Sequence, residues 1–414
     1  MTELGEIPNN WEVKKLDEIS NITRLAGAEY SDIWETDDNG TIIALKGNNI
    51  GKNNLILNDI ERITEEMSNR LIRSKLFKND IVFPCVGTIG KATVINEDNK
   101  YHINQNIAKI TPSSGINSLY LSYYLMSDFT VKEIFKYNTS SSQPNVLVGN
   151  LRKFNIIVPS TEEQEKIASI LSIVDEQIDN VDALIEKNKE LKKGLMQTLL
   201  TKGIGHAKFK KTEIGEIPEE WEVMKLKEIC NIKIGGTPSR NELSYWDSEK
   251  KYKNKWISIK DLSNCNKYIY DTNEYITELG IHNSNVKMLE PKTVIMSFKL
   301  SIGKMAITTE NMYTNEAIAG FTELNDNVYY EYLYYIIPFL KYDIDIAVKG
   351  STLNKEKLNN TLIALPRYNE QIKISSILSE LDEKIEEYEK KKQKLEVVKK
   401  GLMQQLLTGC IRVN

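Results

Sequence analysis

Two stretches of the chain carry apolar residues in alternating steps of four and three, a spacing that gathers them on one face of a helix. The first stretch follows Pro159 and the second follows Pro366, and each predicts a helix of roughly 40 residues. A helix with a single apolar stripe is unstable in water until that stripe is buried, so each helix needs a partner. We therefore predict that the two helices form an antiparallel coiled-coil pair. The residues of its seam are Ile167, Leu171, Val174, Ile178, Val181, Ile374, Leu378, Leu381 and Ile385.

The residues before each helix follow a different pattern. Short apolar runs such as TIIAL, DIVFP and TVIMSF alternate with Gly, Asn and Asp, which predicts short strands joined by turns. Stretches crowded with tyrosine begin at Ser118 and at Val328, and they predict short helices whose tyrosines belong to the core. At the ends of the long helices, Thr161 and Asn369 occupy predicted cap positions.

The chain is an internal duplication. Residues 4–22, LGEIPNNWEVKKLDEISNI, return at 214–232 as IGEIPEEWEVMKLKEICNI, and the repeated Trp11 and Trp221 are predicted to be core anchors. The entrances to the two helices, PSTEEQEKI and PRYNEQIKI, form a second pair, and GTIGK and LSIGK form a third. Because the three pairs share one order, each half of the chain is the same three-part unit.

The duplication predicts an α+β fold with two strand-rich domains joined by two long antiparallel coiled-coil helices. Antiparallel pairing would place the domains at opposite ends of a rod, around a pseudo-two-fold axis. The seam from Ile167 to Leu195 is roughly 40 Å long at about 1.5 Å per residue, and DNA readers with two-fold symmetry place equivalent elements about 34 to 36 Å apart. Two divergent domains at this spacing predict an asymmetric, gapped DNA target. The predicted boundaries are 1–158, 159–203, 204–365 and 366–414, with Gly203 and Gly409 as helix stop signals.

Composition limits the function classes. The 414 residues are 41% hydrophobic and 27% charged, which is typical of a folded globular protein, and no apolar run is long enough for a membrane span. We expect a cytoplasmic protein. The net charge of -4 argues against a generally basic nucleic-acid binder, although one local basic face suffices because DNA responds to charge within about a Debye length of roughly 8 Å. The three histidines and four cysteines show no metal-ligand spacing, so no metal and no catalytic residue is predicted.

Polar loops supply the candidate DNA contacts, because Asn and Gln can bridge adenine and Lys can reach guanine or phosphate. The segment GTIGKAT lacks the spacing of a nucleotide-binding loop and predicts a tight turn that presents Lys91, and equivalently Lys304, to a phosphate. A plain hairpin turn, and solvated loop residues elsewhere, are the alternative interpretations. The other candidates are Lys46, Asn48, Asn49, Ser140, Ser141, Ser142, Gln143, Lys260, Asp261, Ser351 and Thr352.

Several of these motifs resemble one family, the specificity (S) subunits of type I restriction-modification systems. They are the two GEIP openings, the GGTPSR segment from Gly235 to Arg240 with Tyr245 and Trp246 after it, the IGK turns and the P-x3-EQ-x-KI helix entrances. The resemblance covers nearly the whole chain. It departs at LAGAEYSDIW from Leu25, where the second copy has GGTPSR, so the corresponding loops are expected to differ in shape.

The resemblance implies two target recognition domains that read the halves of a split site in double-stranded DNA. It also implies that the helices bind methyltransferase (M) subunits, two of them, which use S-adenosylmethionine, and that a restriction (R) subunit driven by ATP cuts unmodified DNA. This chain itself would hold no cofactor. A lone adenine methyltransferase is disfavoured, because the glycine-rich cofactor loop and the (Asn/Asp)-Pro-Pro-aromatic motif are missing from the sequence. The alternative left open is a coiled-coil scaffold that binds proteins without reading DNA.

Overall fold

The computed structural model describes residues 7–87, 89–137, 145–299, 301–347 and 350–413. It divides into two compact units: unit 1 comprises Met1–Ala183 and Glu389–Asn414, and unit 2 comprises Leu184–Tyr388. Each unit therefore combines one strand-rich domain with a part of both long helices. The predicted α+β class, with duplicated domains and two long antiparallel helices, is confirmed.

Unit 1 is built from short strands and helices that precede the first long helix. Its strands are β1 (Glu12–Lys15), β2 (Ser20–Arg24), β3 (Ile42–Leu45), β4 (Glu61–Ile63), β5 (Ile81–Pro84), β6 (Thr93–Val94), β7 (Tyr101–Ile103), β8 (Ile107–Pro112) and β9 (Asn155–Val158). Its helices are α1 (Leu16–Ile19), α2 (Gly27–Asp32), α3 (Glu65–Arg70), α4 (Ser118–Leu125), α5 (Asp128–Tyr137), α6 (Val148–Leu151) and the first part of α7 (Thr161–Lys202).

The strands of unit 1 form two sheets and one separate pair. The larger sheet is antiparallel with the order β2-β8-β5-β6, and the smaller has the order β4-β3-β7, in which β3 and β7 run parallel. β1 pairs with β9 and so joins the start of the domain to the strand that leads into α7. The predicted runs TIIAL and DIVFP are β3 and β5, both fully buried, and the tyrosine-rich stretch from Ser118 is α4.

Unit 2 contains a similar series of short strands and helices, with several additional strands. Its strands are β10 (Phe209–Thr212), β11 (Gly215–Pro218), β12 (Glu222–Lys225), β13 (Asn231–Ile234), β14 (Lys255–Ile257), β15 (Tyr268–Ile269), β16 (Glu274–Tyr275), β17 (Met288–Leu289), β18 (Val294–Ser297), β19 (Met305–Thr308), β20 (Met312–Thr314), β21 (Ile318–Thr322), β22 (Asp345–Ala347), β23 (Gly350–Thr352) and β24 (Leu362–Leu365). Its helices are α8 (Leu226–Ile229), α9 (Ile259–Asn264), α10 (Glu278–His282), α11 (Tyr330–Ile336), α12 (Lys355–Asn360) and the first part of α13 (Tyr368–Leu407).

Every strand of the two unit 1 sheets has a counterpart in unit 2, and each corresponding unit 2 sheet contains one additional strand. The order β13-β21-β18-β19 corresponds to β2-β8-β5-β6 and gains β15 at its edge, and β16-β14-β20 corresponds to β4-β3-β7 and gains β17. The pairing of β12 with β24 corresponds to that of β1 with β9. The duplication seen in the sequence is thus a duplication of topology.

Within each unit the two long helices pair in opposite directions. In unit 1, Asp175 pairs with Lys399, and Asp182, two turns further along α7, pairs with Lys392, two turns back along α13. In unit 2, Lys192 of α7 pairs with Asp382 of α13. The helices contain 42 and 40 residues, close to the predicted length.

The predicted seam residues are buried to different extents and pack in more than one way. Those near the helix starts lie in a domain core as well as beside the other helix: Ile167 and Leu171 share the core of unit 1 with Leu406 and Leu407, which come from the end of α13. In the same way, residues from the end of α7 complete the core of unit 2, which contains Ile374, Leu378, Leu199 and Leu200. Val181, Leu381 and Ile385 are buried, whereas Val174 and Ile178 are half-buried.

A duplicated Glu-Gln pair fastens the start of each long helix to its domain. In unit 1, Glu163 accepts a hydrogen bond from Nε1 of Trp11 (3.0 Å) and pairs with Arg412 (2.7 Å). The Gln164 side chain accepts a hydrogen bond from Asn117 N (2.9 Å) through its oxygen and donates one to the carbonyl of Pro159 (3.0 Å) through its nitrogen. Burial alone would raise the pKa of Glu163, but the hydrogen bonds from Arg412 and Trp11 hold it below its usual value. Both tryptophans are buried, as predicted.

The predicted helix caps are wrong. The α7 cap hydroxyl belongs to Ser160, which accepts from Glu163 N (3.3 Å), and Thr161 is already the first helical residue. Asn369 likewise lies inside α13. The Gln that suggested a capping box, Gln164, is used instead to hold the domain backbone.

Gly203, which directly follows α7, is held in a left-handed conformation with φ of 65°. A Cβ there would lie 2.8 Å from the ring of Trp221. We expect Gly203→Ala to lower the free energy of unfolding of unit 2 by about 2 kcal/mol, because backbone strain of about 1–2 kcal/mol is added to the overlap. Gly194→Ala, on α7 with open space around its Cβ position, is the matched control and should be stabilising by about 0.5–1 kcal/mol. Urea denaturation measures both, and changes of the same sign would contradict this account.

Candidate nucleic-acid interface

The turn between β5 and β6 presents the first predicted phosphate contact. Gly87 and Gly90 adopt left-handed conformations, with φ of 80° and 84°, which L side chains rarely adopt, and so allow the chain to reverse tightly. Lys91 follows them, half-buried, and makes no ion pair with any other residue in the described part of unit 1. Its ammonium group is therefore available to an external anion.

The loop that follows β3 carries the other described candidates of unit 1. A 3-10 helix spans Gly47–Asn49. Asn49 is 1% exposed, and its amide donates to the carbonyls of Ile56 and Asp59 (2.8 Å each) while its oxygen accepts from Lys46 N (2.8 Å). Asn49 thus shapes the loop, and Asn48 is the exposed amide on it.

Lys46 lies at the base of the same loop with its charge already balanced. Its ammonium group lies 3.1 Å from the Asp59 carboxylate and 3.4 Å from that of Glu61. The hydrogen bond with Asp59, helped by Glu61, raises the pKa of Lys46. A DNA phosphate would have to compete with two carboxylates for this lysine.

Backbone hydrogen bonds bring the candidate segments of unit 1 together. Asn53 N, in the loop after β3, donates to the carbonyl of Ala92 next to Lys91 (2.8 Å), and Val146 N donates to Cys85 O at the start of the turn (2.9 Å). Val146 lies three positions after the third predicted segment, whose residues Ser140, Ser141, Ser142 and Gln143 lie outside the described residues.

Unit 2 brings its candidate segments together in the same way. Gly303, with φ of 94°, precedes Lys304 in the turn between β18 and β19, and the Lys304 ammonium donates to the hydroxyl of Ser263 on α9. α9 also carries Lys260, which is exposed. Leu353 N donates to Phe298 O at the start of this turn (3.1 Å). Ser351 and Thr352, just before Leu353, belong to β23.

Asp261 and Asn49 occupy equivalent places in the two units. The side-chain oxygen of each accepts a hydrogen bond from the backbone N–H three residues earlier, that of Ser258 or of Lys46. Asp261 is buried, and its carboxylate accepts hydrogen bonds from Ser258 N (2.8 Å) and from Asn273 N (2.9 Å). Both residues support a loop and leave the neighbouring exposed position, Asn48 or Lys260, to face solvent. Whether any of these side chains contacts DNA stays a prediction.

Sequence reasoning missed two groups that organise this surface. Ser263 holds the Lys304 ammonium, although nothing in the spacing of the two residues indicates their contact. Arg240 of the GGTPSR segment lies 3.8 Å from the ring centroid of Trp246 and pairs with Glu274, so this arginine anchors its own loop. The GGTPSR segment marked Arg240 as part of a motif typical of the family, but only the fold shows its partner Glu274 on β16.

The described residues contain no cluster of three or more His, Cys, Asp or Glu side chains that could hold a metal ion. None of the helices in this part of the chain has both the length and the apolar composition needed to cross a bilayer. What each unit does contain is a glycine-containing turn with a lysine, together with an exposed polar position on a second segment. Such a surface can contact phosphates and base edges.

Comparison with known proteins decides the family. The model of the type I restriction modification DNA specificity domain matches residues 8–192 and again residues 218–397. The chain belongs to this family. The two matches fall on the two copies of the sequence repeat, so the specificity domain is present twice, and DNA target recognition in a restriction-modification complex is the role of the family.

Similar proteins extend over the whole chain. The type I restriction enzyme MjaIX specificity subunit of Methanocaldococcus jannaschii is 26% identical over 440 residues, covering 100% of this chain and 96% of that protein. The MjaVIII specificity subunit of the same organism is 30% identical over 307 residues, 70% of each chain. The crystal structure of a type I S subunit from M. genitalium shares the fold, with a TM-score of 0.58, 16% identity, and coverage of 98% of this chain and 99% of that one.

Proposed function

We propose that units 1 and 2 read unequal half-sites of one split DNA target. The observation that carries this proposal is the duplicated interface: the same turn and the same loop recur in both units, with different side chains at the exposed position. Asn48 suits adenine in unit 1, and Lys260 suits guanine or a phosphate in unit 2. Domains with different reading residues imply an asymmetric target.

The chain is proposed to act without catalysis of its own. It would place M subunits, two of them, and an R subunit on DNA, with S-adenosylmethionine and ATP bound by those partners. This assignment rests on family membership and on the names of the relatives, which are subunits of type I restriction enzymes. Because the proposed binding target is DNA, we place the protein in the cytoplasm.

We expect Lys91 and Lys304 to contact DNA phosphates. Replacing either lysine with methionine should weaken binding to every sequence alike and reduce the slope of log Kd against log salt by about one unit, because one fewer counterion is released. Lys166→Met, an exposed lysine on α7, is the matched control and should leave the slope unchanged. Titrations of a labelled duplex across a salt series measure the slopes. An unchanged slope in both variants would remove these lysines from the interface.

Footprinting of the chain in complex with its methylating subunit separates this function from a protein-binding scaffold. The proposal predicts two protected patches about one DNA turn apart, whose sequences differ. A scaffold would protect no defined sequence. A single protected patch would also contradict the proposal, because it would leave one recognition domain without a half-site.

A further inference from the structure

Each unit contains the same arrangement of a tyrosine, an aspartate and a lysine, taken from three different elements. In unit 1, the Tyr123 hydroxyl of α4 donates to Oδ2 of Asp175 on α7 (2.7 Å), and Lys399 of α13 contacts Oδ1 of the same carboxylate. The Lys399 ammonium also lies 5.5 Å from the centroid of the Tyr123 ring. We call this set of residues the Tyr-Asp-Lys triad.

Unit 2 repeats the triad with its long helices exchanged. The Tyr335 hydroxyl of α11 donates to Oδ2 of Asp382 on α13 (2.6 Å), and Lys192 of α7 contacts Oδ1. The Lys192 ammonium lies 5.6 Å from the ring centroid of Tyr335. The same atoms thus meet in the same way in both copies. The sequence repeat already aligns these residues, since each aspartate follows a repeated SILS run and each lysine lies two residues before a repeated GLMQ.

The triad adds a polar connection, about three turns along α7 from the Glu-Gln pair, to a junction that also contains an apolar core. The long helices contact the domain of unit 1 through Ile167, Leu171, Leu406 and Leu407, and apolar burial is non-directional, so it tolerates small rotations. A charge-assisted hydrogen bond requires a defined distance and angle. One carboxylate that binds both the domain and the second helix therefore selects a single orientation.

The triad of unit 1 is also close to the candidate nucleic-acid interface. The Ser122 hydroxyl, next to Tyr123, donates to Oδ1 of Asn53 (2.5 Å), and Asn53 N donates to the carbonyl beside Lys91 (2.8 Å). Two hydrogen bonds therefore connect the Lys91 turn to the helix that carries the triad tyrosine. A rotation at the triad would move the turn with it.

We propose that the two Tyr-Asp-Lys triads fix the orientation of each recognition domain on the helix pair and so determine the spacer length accepted between the half-sites. The inference rests on the proposed function. Adding one base pair to a spacer moves the second half-site by about 3.4 Å and turns it by about 35°. Domains with a fixed orientation reject such a target, and domains that can rotate accept it.

In unit 2, a further polar contact between the domain and α13 accompanies the triad. In unit 2, Lys267 binds both Glu331 on α11 (3.0 Å) and Ser379 on α13 (2.6 Å), which adds a second connection between the domain and the helix. The ion pair is largely buried, with exposed side-chain fractions of 10% and 14%. Loss of one hydroxyl is therefore expected to have a larger effect in unit 1 than in unit 2.

The test uses Tyr123→Phe and Tyr335→Phe in the complex with the methylating subunit. Tyr120→Phe and Tyr332→Phe are matched controls, because these tyrosines are also buried in the domain cores and their hydroxyls donate to carbonyls inside their own domains, those of Ile157 (2.8 Å) and Ala364 (3.0 Å). The probes are duplexes that carry the target mapped by adenine methylation, with its native spacer and with one base pair added or removed. The readout is the ratio of Kd for the altered spacer to Kd for the native spacer.

We expect Tyr123→Phe to reduce this ratio about tenfold, with a smaller reduction for Tyr335→Phe and an unchanged base preference within each half-site. The controls should keep the ratio of the unaltered protein. Asp175→Asn keeps the shape of the side chain but removes the ion pair with Lys399, and we expect it to reduce the same ratio. An unchanged ratio in these variants, or an equal reduction in the controls, overturns the inference alone. If the unaltered complex shows no spacer preference, the proposed function fails as well.

Discussion

Replacing Glu370 with alanine is expected to lower the free energy of unfolding of unit 2 by about 3 kcal/mol. The carboxylate accepts hydrogen bonds from Nε1 of Trp221 (3.1 Å) and from Ile204 N (3.0 Å), and Nε2 of His206 lies 2.9 Å from it. Alanine leaves the indole N–H of the buried Trp221 without an acceptor, and an unsatisfied buried donor costs about 1–3 kcal/mol; the partly buried bonds from His206 and the exposed one from Ile204 add to this loss. The start of α13 would then lose its hydrogen bonds to the residues that follow α7, while the apolar contacts of Leu199 and Leu200 remain.

The matched control for this change is Glu380→Ala on the same helix. Glu380 is 68% exposed and pairs with Lys384 one turn away, and water screens such a surface pair, so it contributes little to stability. Hydrogen exchange of unit 2 amides in increasing urea, followed by mass spectrometry, reports the local free energy in both variants. Equal losses would show that the Glu-Gln pair does not fasten the helix to the domain.

Lys109→Met is expected to destabilise unit 1 by about 3–5 kcal/mol. The Lys109 ammonium lies 3.0 Å from Asp80 and donates to the carbonyl of Lys75 (2.6 Å), and the two ion-pair side chains are only 10% and 2% exposed. Methionine fills a similar volume but leaves the Asp80 charge buried without its partner. The cost of that uncompensated charge exceeds what the pair contributed to stability.

Lys100→Met separates this effect from the loss of a positive charge. Lys100 pairs with Glu97 at the surface, where the two side chains are 41% and 50% exposed, so water screens the pair and its removal should leave the free energy of unfolding nearly unchanged. Urea denaturation of unit 1 measures both variants. A Lys109→Met protein as stable as Lys100→Met would contradict the assignment of a buried pair.

The long helices and the duplicated domains could be predicted because their signals are local or repeated. A seven-residue apolar period specifies a helix face, and a returning sequence specifies a returning fold. The register of the helix pair could not be predicted in the same way. Lys392 interrupts the apolar seam, and in the structure it pairs with Asp182 across the two helices, a hydrogen bond that raises the pKa of Lys392.

The role of the Glu-Gln pair was within reach of the sequence and was misassigned. Gln164 resembles the third residue of a capping box, whereas its amide binds the backbone of the domain. The sequence did contain a signal for this role, because a tryptophan and a Glu-Gln pair occur together in both copies. In the structure, Trp11 binds Glu163 and Trp221 binds Glu370. Residues that return together across a repeat can be partners rather than separate features.

The candidate DNA contacts show where sequence reasoning ends. It marked Asn48 and Asn49 alike as polar loop residues, but only a fold determines which of two neighbours points into the loop. Asn49 is buried with its amide satisfied, and Asn48 is exposed. The same holds for Asp261 and Lys260. For Asp261 a local pattern was available, because Ser258 and Asp261 form a capping box, and Asn49 makes the equivalent contact with Lys46 N.

The central claim is that one chain directs methylation to a target with two unequal parts. Adenine methylation mapped across the genome of cells that carry this gene with its M-subunit gene tests that claim most directly. We predict one methylated motif, in which two different short sequences flank a spacer of fixed length and unspecified sequence. A palindromic or ungapped motif, or methylation that persists unchanged when this gene is deleted, would contradict the account.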